Sequence, residues 1–272
     1  MKKIVSLILA LTLCLGVAFS LTSCGVDYDD LTIVELGSEK EYFGIAFRSG
    51  SDMTRKVEDI TLELIKDGTL ATLSTKYEVG AVDEKDYVPS ADACEGSSDW
   101  ANIKAKGKMV IGITDYKPMD YKENGEWVGF DADYARAVCE KLGVEAEFKE
   151  IVWDNKLISL EAGEIDCIWN GMTITEAIEA AADCTAPYMY NMQVAVVKDE
   201  DAAKFKDLAS IKGAVIAVEG GSAGEKLVKA DADLAKNYKA VEAQNDAILE
   251  VMSGASEVAI VDYTLAKALI KK

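Results

Sequence analysis

Short apolar runs and amphipathic stretches follow one another along the chain, and their period changes from place to place. Residues 31–36 and 42–47 read as short strands separated by the turn-like stretch GSEK. Ser51 and Asp52 are both good helix N-caps, opening a helix with Met53, Val57, Ile60 and Leu64 on one face. Gly68 stops that helix, and a second, shorter one carries Leu70, Leu73 and Tyr77. From about Gly80 to Asp99 the chain turns polar, with Asp, Glu, Ser, Gly and one Pro, and reads as a linker. A strand of the kind that opens a domain appears only after that, past Trp100.

From there strands alternate with helices. MVIGIT (109–114) predicts a strand, FDADYARAVCEKLG (130–143) a helix ending at Gly143, and EAEFKEI (145–151) a strand. NKLISLEAG (155–163) predicts a helix stopped by Gly163, IDCIWNG (165–171) a strand, and a further helix starts near Glu176. MQVAVVK (192–198) and AVIAVEGGSAG (214–224) follow, then a long helix, then EVAIVDY (257–263). Such alternation implies parallel strands joined by crossover helices, here in two series, 109–186 and 193–272.

The amino terminus has another character. Lys2 and Lys3 precede an apolar run from Ile4 to Phe19, followed by Leu21-Thr22-Ser23-Cys24. This is the pattern of a secretory signal, and its ending matches a bacterial lipobox in which Cys24 takes the lipid. The alternative is a transmembrane anchor, for which the run is short, since a span needs about 20 apolar residues.

A net charge of -19 excludes nucleic acid as a partner, because no basic surface could neutralise phosphates, and it disfavours anionic membranes except through the lipid. Six cysteines and no histidine, without a Cys-x-x-Cys spacing, make a structural zinc site a poor reading. Cys14 leaves with the signal. Cys167 with Cys184 is the best placed disulfide pair in an exported chain, but buried free thiols are the favoured alternative.

MVIGITDYKPMDYKENGEWVGFDADYARAVCEKLG resembles the opening of the extracellular solute-binding proteins of polar amino-acid ABC transporters. IDCIWNGMTIT resembles that family's middle signature, AVIAVEGGSAG the start of its second lobe, and VAIVDYTLA its last ligand-bearing strand. EYFGIAFRSGSD with DGTLATLSTKY resembles the family's C-terminal stretch, yet here it comes first, so the order resembles a circular permutation. The resemblance implies an α/β, two-lobed periplasmic-binding-protein-like fold whose chain crosses the hinge twice, near Glu39 to Phe43 and near Tyr188 to Met192. Domain boundaries follow: 1–24 signal peptide, 25–42 terminal strand segment of lobe 2, and 43–79 helical segment of lobe 1. Residues 80–98 would then link the usual termini, 99–190 would form the main part of lobe 1, and 191–272 the main part of lobe 2.

Carried over residue by residue, the resemblance places Asp262 against a ligand ammonium and Tyr116 and Trp153 on the ligand's two faces. Asn170, Gly171, Thr173 and Ser222 would meet the amino-acid head group. Trp169 is equally consistent with cleft or core. Two departures stand out. Ile178 occupies the place of an arginine that commonly grips the ligand carboxylate, and Ile113 replaces a second acid, for which Asp115 is a possible substitute.

The implied function is a lipid-anchored extracellular receptor that takes an amino acid into an interlobe cleft and delivers it to an ABC permease. It would need no cofactor and perform no catalysis. Alternatives are a dehydratase-type enzyme of the same fold, relying on carboxylates such as Asp115, Glu219 and Asp262, and a ligand-sensing module.

Overall fold

A computed structural model describes residues 27–89 and 97–271. The signal and lipobox reading, with Cys14 and Cys24, lies outside these residues, as do Cys94 and residues 90–96 of the polar stretch.

The chain builds two α/β lobes, each around a mixed sheet. In chain order the elements begin with β1 (Leu31–Glu35), β2 (Glu41–Arg48), α1 (Met53–Lys66), α2 (Thr69–Tyr77) and α3 (Asp99–Lys106). There follow β3 (Lys108–Ile113), the hairpin β4 (Tyr121–Glu123) and β5 (Glu126–Val128), α4 (Phe130–Leu142), β6 (Glu145–Glu150), α5 (Lys156–Glu161) and β7 (Cys167–Thr173). Then come α6 (Glu176–Glu179), β8 (Ala182–Cys184), β9 (Met189–Asn191) and β10 (Gln193–Lys198). The chain closes with β11 (Ile216–Glu219), α7 (Ala223–Ala230), β12 (Tyr238–Val241), α8 (Gln244–Ser253), β13 (Val258–Asp262) and α9 (Tyr263–Leu269).

One sheet has the order β6-β3-β7-β2-β8, with β9 also pairing β2; the other has the order β1-β10-β13-β11-β12. Strands β3, β6 and β7 run parallel, as do β11, β12 and β13, while β2 and β10 pair antiparallel with β7 and β13. Central strands are buried on both faces: β13 along its whole length and β7 in all but its last residue. At the edge, β6 is half exposed, and its charged residues point to solvent.

The chain passes between the sheets at two places. Residues 36–40 lead from β1 in one sheet to β2 in the other, and Met192 leads from β9 back to β10. Through the first passage the amino-terminal segment enters both lobes. Phe43, Ile45 and Phe47 of β2 and Met53, Val57 and Leu64 of α1 are buried in the core that β3 and β7 share. Arg48 bonds the Leu160 and Ile165 carbonyls and pairs with Asp99 at 3.0 Å.

Several local expectations change. Residues 99–106 form a helix, α3, rather than the approach to a strand; its one fully buried side chain, Ile103, leaves little periodic signal. The polar stretch is docked over its described first part: Val82 and Tyr87 are buried, and Val82 N–H donates to the Tyr188 carbonyl at 2.9 Å. Two apolar side chains among many polar ones suffice to seat it. The expected long helix after residue 224 is two helices with β12 between them. Asp231 ends the first by accepting the Asp233 N–H at 2.8 Å, a local bond that competes with helix continuation. The helix starting at Glu176 is a single turn, and β8 follows it. At the start of α1 the Ser51 hydroxyl accepts the Met53 N–H, whereas the Asp52 carboxylate turns to Trp100 N–H and the Ser97 hydroxyl.

Cys167 and Cys184 are free thiols, as is Cys139. Cys167 pairs with Phe47 and Cys184 with Ala46, so the two lie on strands flanking β2 and point to opposite faces. Two strand spacings are roughly 10 Å, beyond the ~7 Å that a disulfide tolerates between Cα atoms.

Candidate functional site

The carboxyl ends of the parallel strands face one another across the gap between the sheets. Thr114 and Tyr116 follow β3, Trp153 follows β6, and Asn170, Gly171 and Thr173 end β7. From the other lobe come Glu219 at the end of β11, Asp262 at the end of β13, Ser222 and Ala223 opening α7, and Gln244 opening α8. These residues line one crevice, enclosing about 20 Å³ of free space, room for little more than one water. Tyr116, Trp153, Asn170, Gly171, Thr173, Ser222 and Asp262 therefore converge, although they are scattered over 147 positions (262 minus 116, plus one) of the sequence.

Asp262 is the hub. Its Oδ1 accepts from Asn191 Nδ2 and Gln193 Nε2, each at 2.6 Å, and its Oδ2 accepts from Gln244 Nε2 at 2.6 Å. Gln244 closes a second bond, accepting the Asp262 N–H at 2.8 Å. Burial raises the Asp262 carboxyl above its ordinary range, while the amide donors pull in the other direction. The Tyr116 hydroxyl faces this carboxylate within electrostatic reach but outside hydrogen-bond geometry, and is a buried hydroxyl without a partner.

Glu219 is the second acid in the crevice. Burial pushes it up to about 8, the Asp262 charge adds to the rise, and the Lys156 ammonium opposes it. Glu41, which opens β2 directly after the first interlobe passage, is also raised by burial and by Asp262; its Oε2 accepts from Gln193 Nε2 at 2.9 Å and from the Thr173 hydroxyl at 3.2 Å. Glu41 and Glu219 thus both lie within reach of the Asp262 charge, and among the described residues no cationic side chain lines the crevice.

Other members of the set are already engaged. Asn170 bonds Thr114 through the Thr114 N–H, hydroxyl and carbonyl, and donates to Asp120 at 2.7 Å. The Gly171 N–H donates to Asp131 at 2.6 Å, so it is directed behind the crevice and not toward a ligand. Gly171 has φ +53°, and a Cβ there would lie 2.7 Å from a Tyr116 ring carbon. Only glycine lets that ring lie against β7. The Ser222 hydroxyl donates to the Glu219 carbonyl and accepts the Glu225 N–H, capping α7. Behind the floor, burial raises Asp131 to about 7 and Asp120 well above the carboxylate range.

Further bonds between the lobes lie beside the crevice. Lys156 Nζ donates to the Gly221 carbonyl at 2.8 Å and to the Trp153 carbonyl at 3.2 Å, and Asn245 Nδ2 donates to the Asp115 carbonyl at 3.1 Å. At Gly221, φ is +70° and a Cβ would meet Asp154 Cα at 2.8 Å, so the backbones touch across the gap.

One candidate, Asp115, is corrected here, and three other residues are located. Asp115 is exposed and does not line the crevice, because Thr114 and Tyr116, its neighbours, face inward. Ile113 and Ile178 are both buried in apolar cores, Ile178 packing with Trp153 and Met172. Trp169 belongs to the core, edge-on to Tyr134 with ring centroids 4.7 Å apart. Glu219 entered the sequence reading only as a catalytic acid for an enzyme; its place at the end of an apolar strand, like that of Asp262, is the signal that points to the crevice. Gln244 and Glu41 carry no such signal.

A family profile described as bacterial extracellular solute-binding proteins, family 3, matches residues 109–271. The arginine-binding extracellular protein ArtP of Bacillus subtilis (strain 168) is 31% identical over 185 residues, covering 66% of this chain and 70% of that protein. Among solved structures, holo ArgBP from T. maritima is similar with a TM-score of 0.59 and 30% identity, covering 62% of this chain and 74% of that one. The ancestral amino acid-binding protein AncCDT-1, a precursor of cyclohexadienyl dehydratase, is similar with a TM-score of 0.58 and 32% identity, covering 61% of this chain and 75% of that one.

Proposed function

From the premise that the chain belongs to the bacterial extracellular solute-binding proteins of family 3, we propose that it captures a cationic amino acid between its lobes and delivers it to an ABC importer. The observation that carries this reading is the pairing of two buried acids, Glu219 and Asp262, with no cationic residue among the described residues lining the same crevice. A bound ammonium or guanidinium relieves the repulsion between them and forms charge-assisted bonds. Asp262 takes the α-ammonium, Glu219 the second positive group, and the Tyr116 and Trp153 rings flank the ligand and exclude water. Asn170, Gly171 and Thr173 shape the floor, and Ser222 at the start of α7 faces the ligand carboxylate. The missing arginine at Ile178 fits a ligand held mainly through its positive charge. The arginine-binding relatives support the same chemistry.

Ligand contacting both lobes shifts an open–closed equilibrium toward the closed form, which presents both lobes to the permease. Cys24 is the proposed site of lipid attachment at the outer face of the membrane. We further read the chain as circularly permuted, with segments 25–42 and 43–79 placed before the lobes they complete and 80–98 joining the usual termini. Support comes from a profile match confined to residues 109–271, although β2 and α1 share the core of the matched first lobe. An enzymatic reading draws on one observation, the Glu219 carboxyl raised to about 8, which could hold a proton for transfer near neutral pH.

The test is a thermal-shift screen of the twenty amino acids and simple amines, because ligand that binds only the folded state raises the melting temperature. Arginine or lysine should give the largest shifts. Stabilisation by glutamate or aspartate in preference to these, or by none of the compounds, overturns the reading; conversion of a stabilising compound to product favours the enzyme.

A further inference from the structure

A second concave surface, about 710 Å³ in volume, runs along the hinge side of the molecule and is distinct from the crevice. Both passages between the sheets contribute to it, through Lys40 on one and Tyr190 to Met192 on the other. Lobe 1 adds Lys76 and Lys117, and lobe 2 adds Lys267 and Lys271.

Its charge runs against that of the whole chain, so the inference from net charge alone that no basic surface could meet phosphates is corrected here for a small polyanion. A protein of net charge -19 here gathers five lysines, and the lining includes one carboxylate, Glu78. Lys76 pairs with Asp133 at 2.7 Å. Among the described residues, Lys40, Lys117, Lys267 and Lys271 have no carboxylate within ion-pair distance, whereas elsewhere Lys106 pairs with Asp166 and Lys229 with Glu225. Two of these lysines rest on aromatic rings: Lys40 over Tyr190 at 3.4 Å from the centroid and Lys117 over Tyr121 at 4.9 Å. Those contacts hold the ammonium groups over the ring faces, and Lys117 also lies within electrostatic reach of the Asp115 carboxylate without pairing with it. The lysines come from distant parts of the sequence, so their convergence does not follow from a local run of basic residues.

We propose that this groove is a second binding site, taking a soluble oligophosphate or another phosphate-bearing polyanion that spans the hinge and touches both lobes. The volume lies within the several hundred Å³ typical of small-molecule sites. Ammonium groups act as point charges toward phosphate oxygens, and several of them in one groove select for multiple negative charges over one. Since Lys117 belongs to one lobe and Lys267 to the other, a spanning ligand needs both. Charge reversal on either lobe therefore weakens binding.

Inorganic tripolyphosphate is the probe, titrated by calorimetry at low ionic strength into the intact protein. The expected result is saturable binding with Kd below about 1 mM, weakened about ten-fold or more by Lys117→Glu and by Lys267→Glu, since each removes a charged partner. Lys206→Glu, outside the groove, should leave it within about two-fold and so controls for net charge. Both groove variants should keep the circular dichroism spectrum and the amino-acid thermal shifts of the parent, showing that fold and crevice are intact. No tripolyphosphate binding, or equal weakening by Lys206→Glu, overturns the proposal. So does cosedimentation with phosphatidylglycerol vesicles, lost in the groove variants, when tripolyphosphate itself fails to bind, because the phosphate source is then a lipid surface.

Discussion

Replacing Glu219 by glutamine removes a titration while keeping the size and shape of the side chain. In the folded protein burial, reinforced by Asp262, raises this carboxyl from 4.5 to about 8. An unfolded chain releases the proton above 4.5, whereas the folded one retains it until about 8, so stability is lost as pH rises through that window. At about 1.36 kcal/mol per pH unit, and allowing for partial ionisation at both ends of the window, the loss from pH 5 to pH 8 is about 3.5 kcal/mol at most. Water entering the crevice and movement of Lys156 reduce it, so a measured value of about 1–3 kcal/mol is expected. The assay is urea denaturation of ligand-free parent and Glu219→Gln at a series of pH values. Asp131 is also raised, to about 7, and contributes a slope of the same sign in both proteins, so the difference between the two curves isolates Glu219. The variant should match the parent near pH 5 and exceed it near pH 8. Parallel curves would refute the argument, because Glu219 would then ionise normally in the fold.

The same ionisation predicts that binding a cationic amino acid at neutral pH expels a proton; calorimetry in buffers of different ionisation enthalpy should give buffer-dependent heats, and identical heats would exclude the linkage. Gly171→Ala places a Cβ 2.7 Å from the Tyr116 ring at φ +53°; destabilisation of about 1–3 kcal/mol is expected by urea denaturation, and a change under about 0.5 kcal/mol would contradict the packing. Burial pushes the Cys184 thiol up to about 12 and Cys167 well above its usual range. Iodoacetamide should therefore label both only after unfolding, and a linked peptide in mass spectrometry would contradict the strand geometry.

The crevice was legible where position on a strand carries meaning. Asp262 ends an apolar run, as Glu219 does, and a polar residue at the carboxyl end of a buried parallel strand has the interlobe gap in front of it. Cleft and core stayed equally open for Trp169 in the sequence because β7 is buried on both faces, so inward and outward positions look alike. Asp115 was misplaced by one residue, enough to reverse its face after β3. What holds Asp262 was out of reach: Asn191, Gln193 and Gln244 are ordinary amides in the sequence and become its partners only through sheet pairing. Nor does anything mark Asp120 and Asp131 as buried in a chain with 48 acidic residues. Short elements such as α3, β8 and β12 bury too few side chains to show a period.

The proposed ligand capture depends on Asp262 meeting the ligand's positive charge. Calorimetric titration of the amino acid giving the largest thermal shift, into the parent and into Asp262→Ala, tests this most directly. Losing a charged partner costs about 1.5–3 kcal/mol, so the variant should bind at least about ten-fold more weakly while keeping its fold by circular dichroism. Equal affinity in a folded variant would contradict the account.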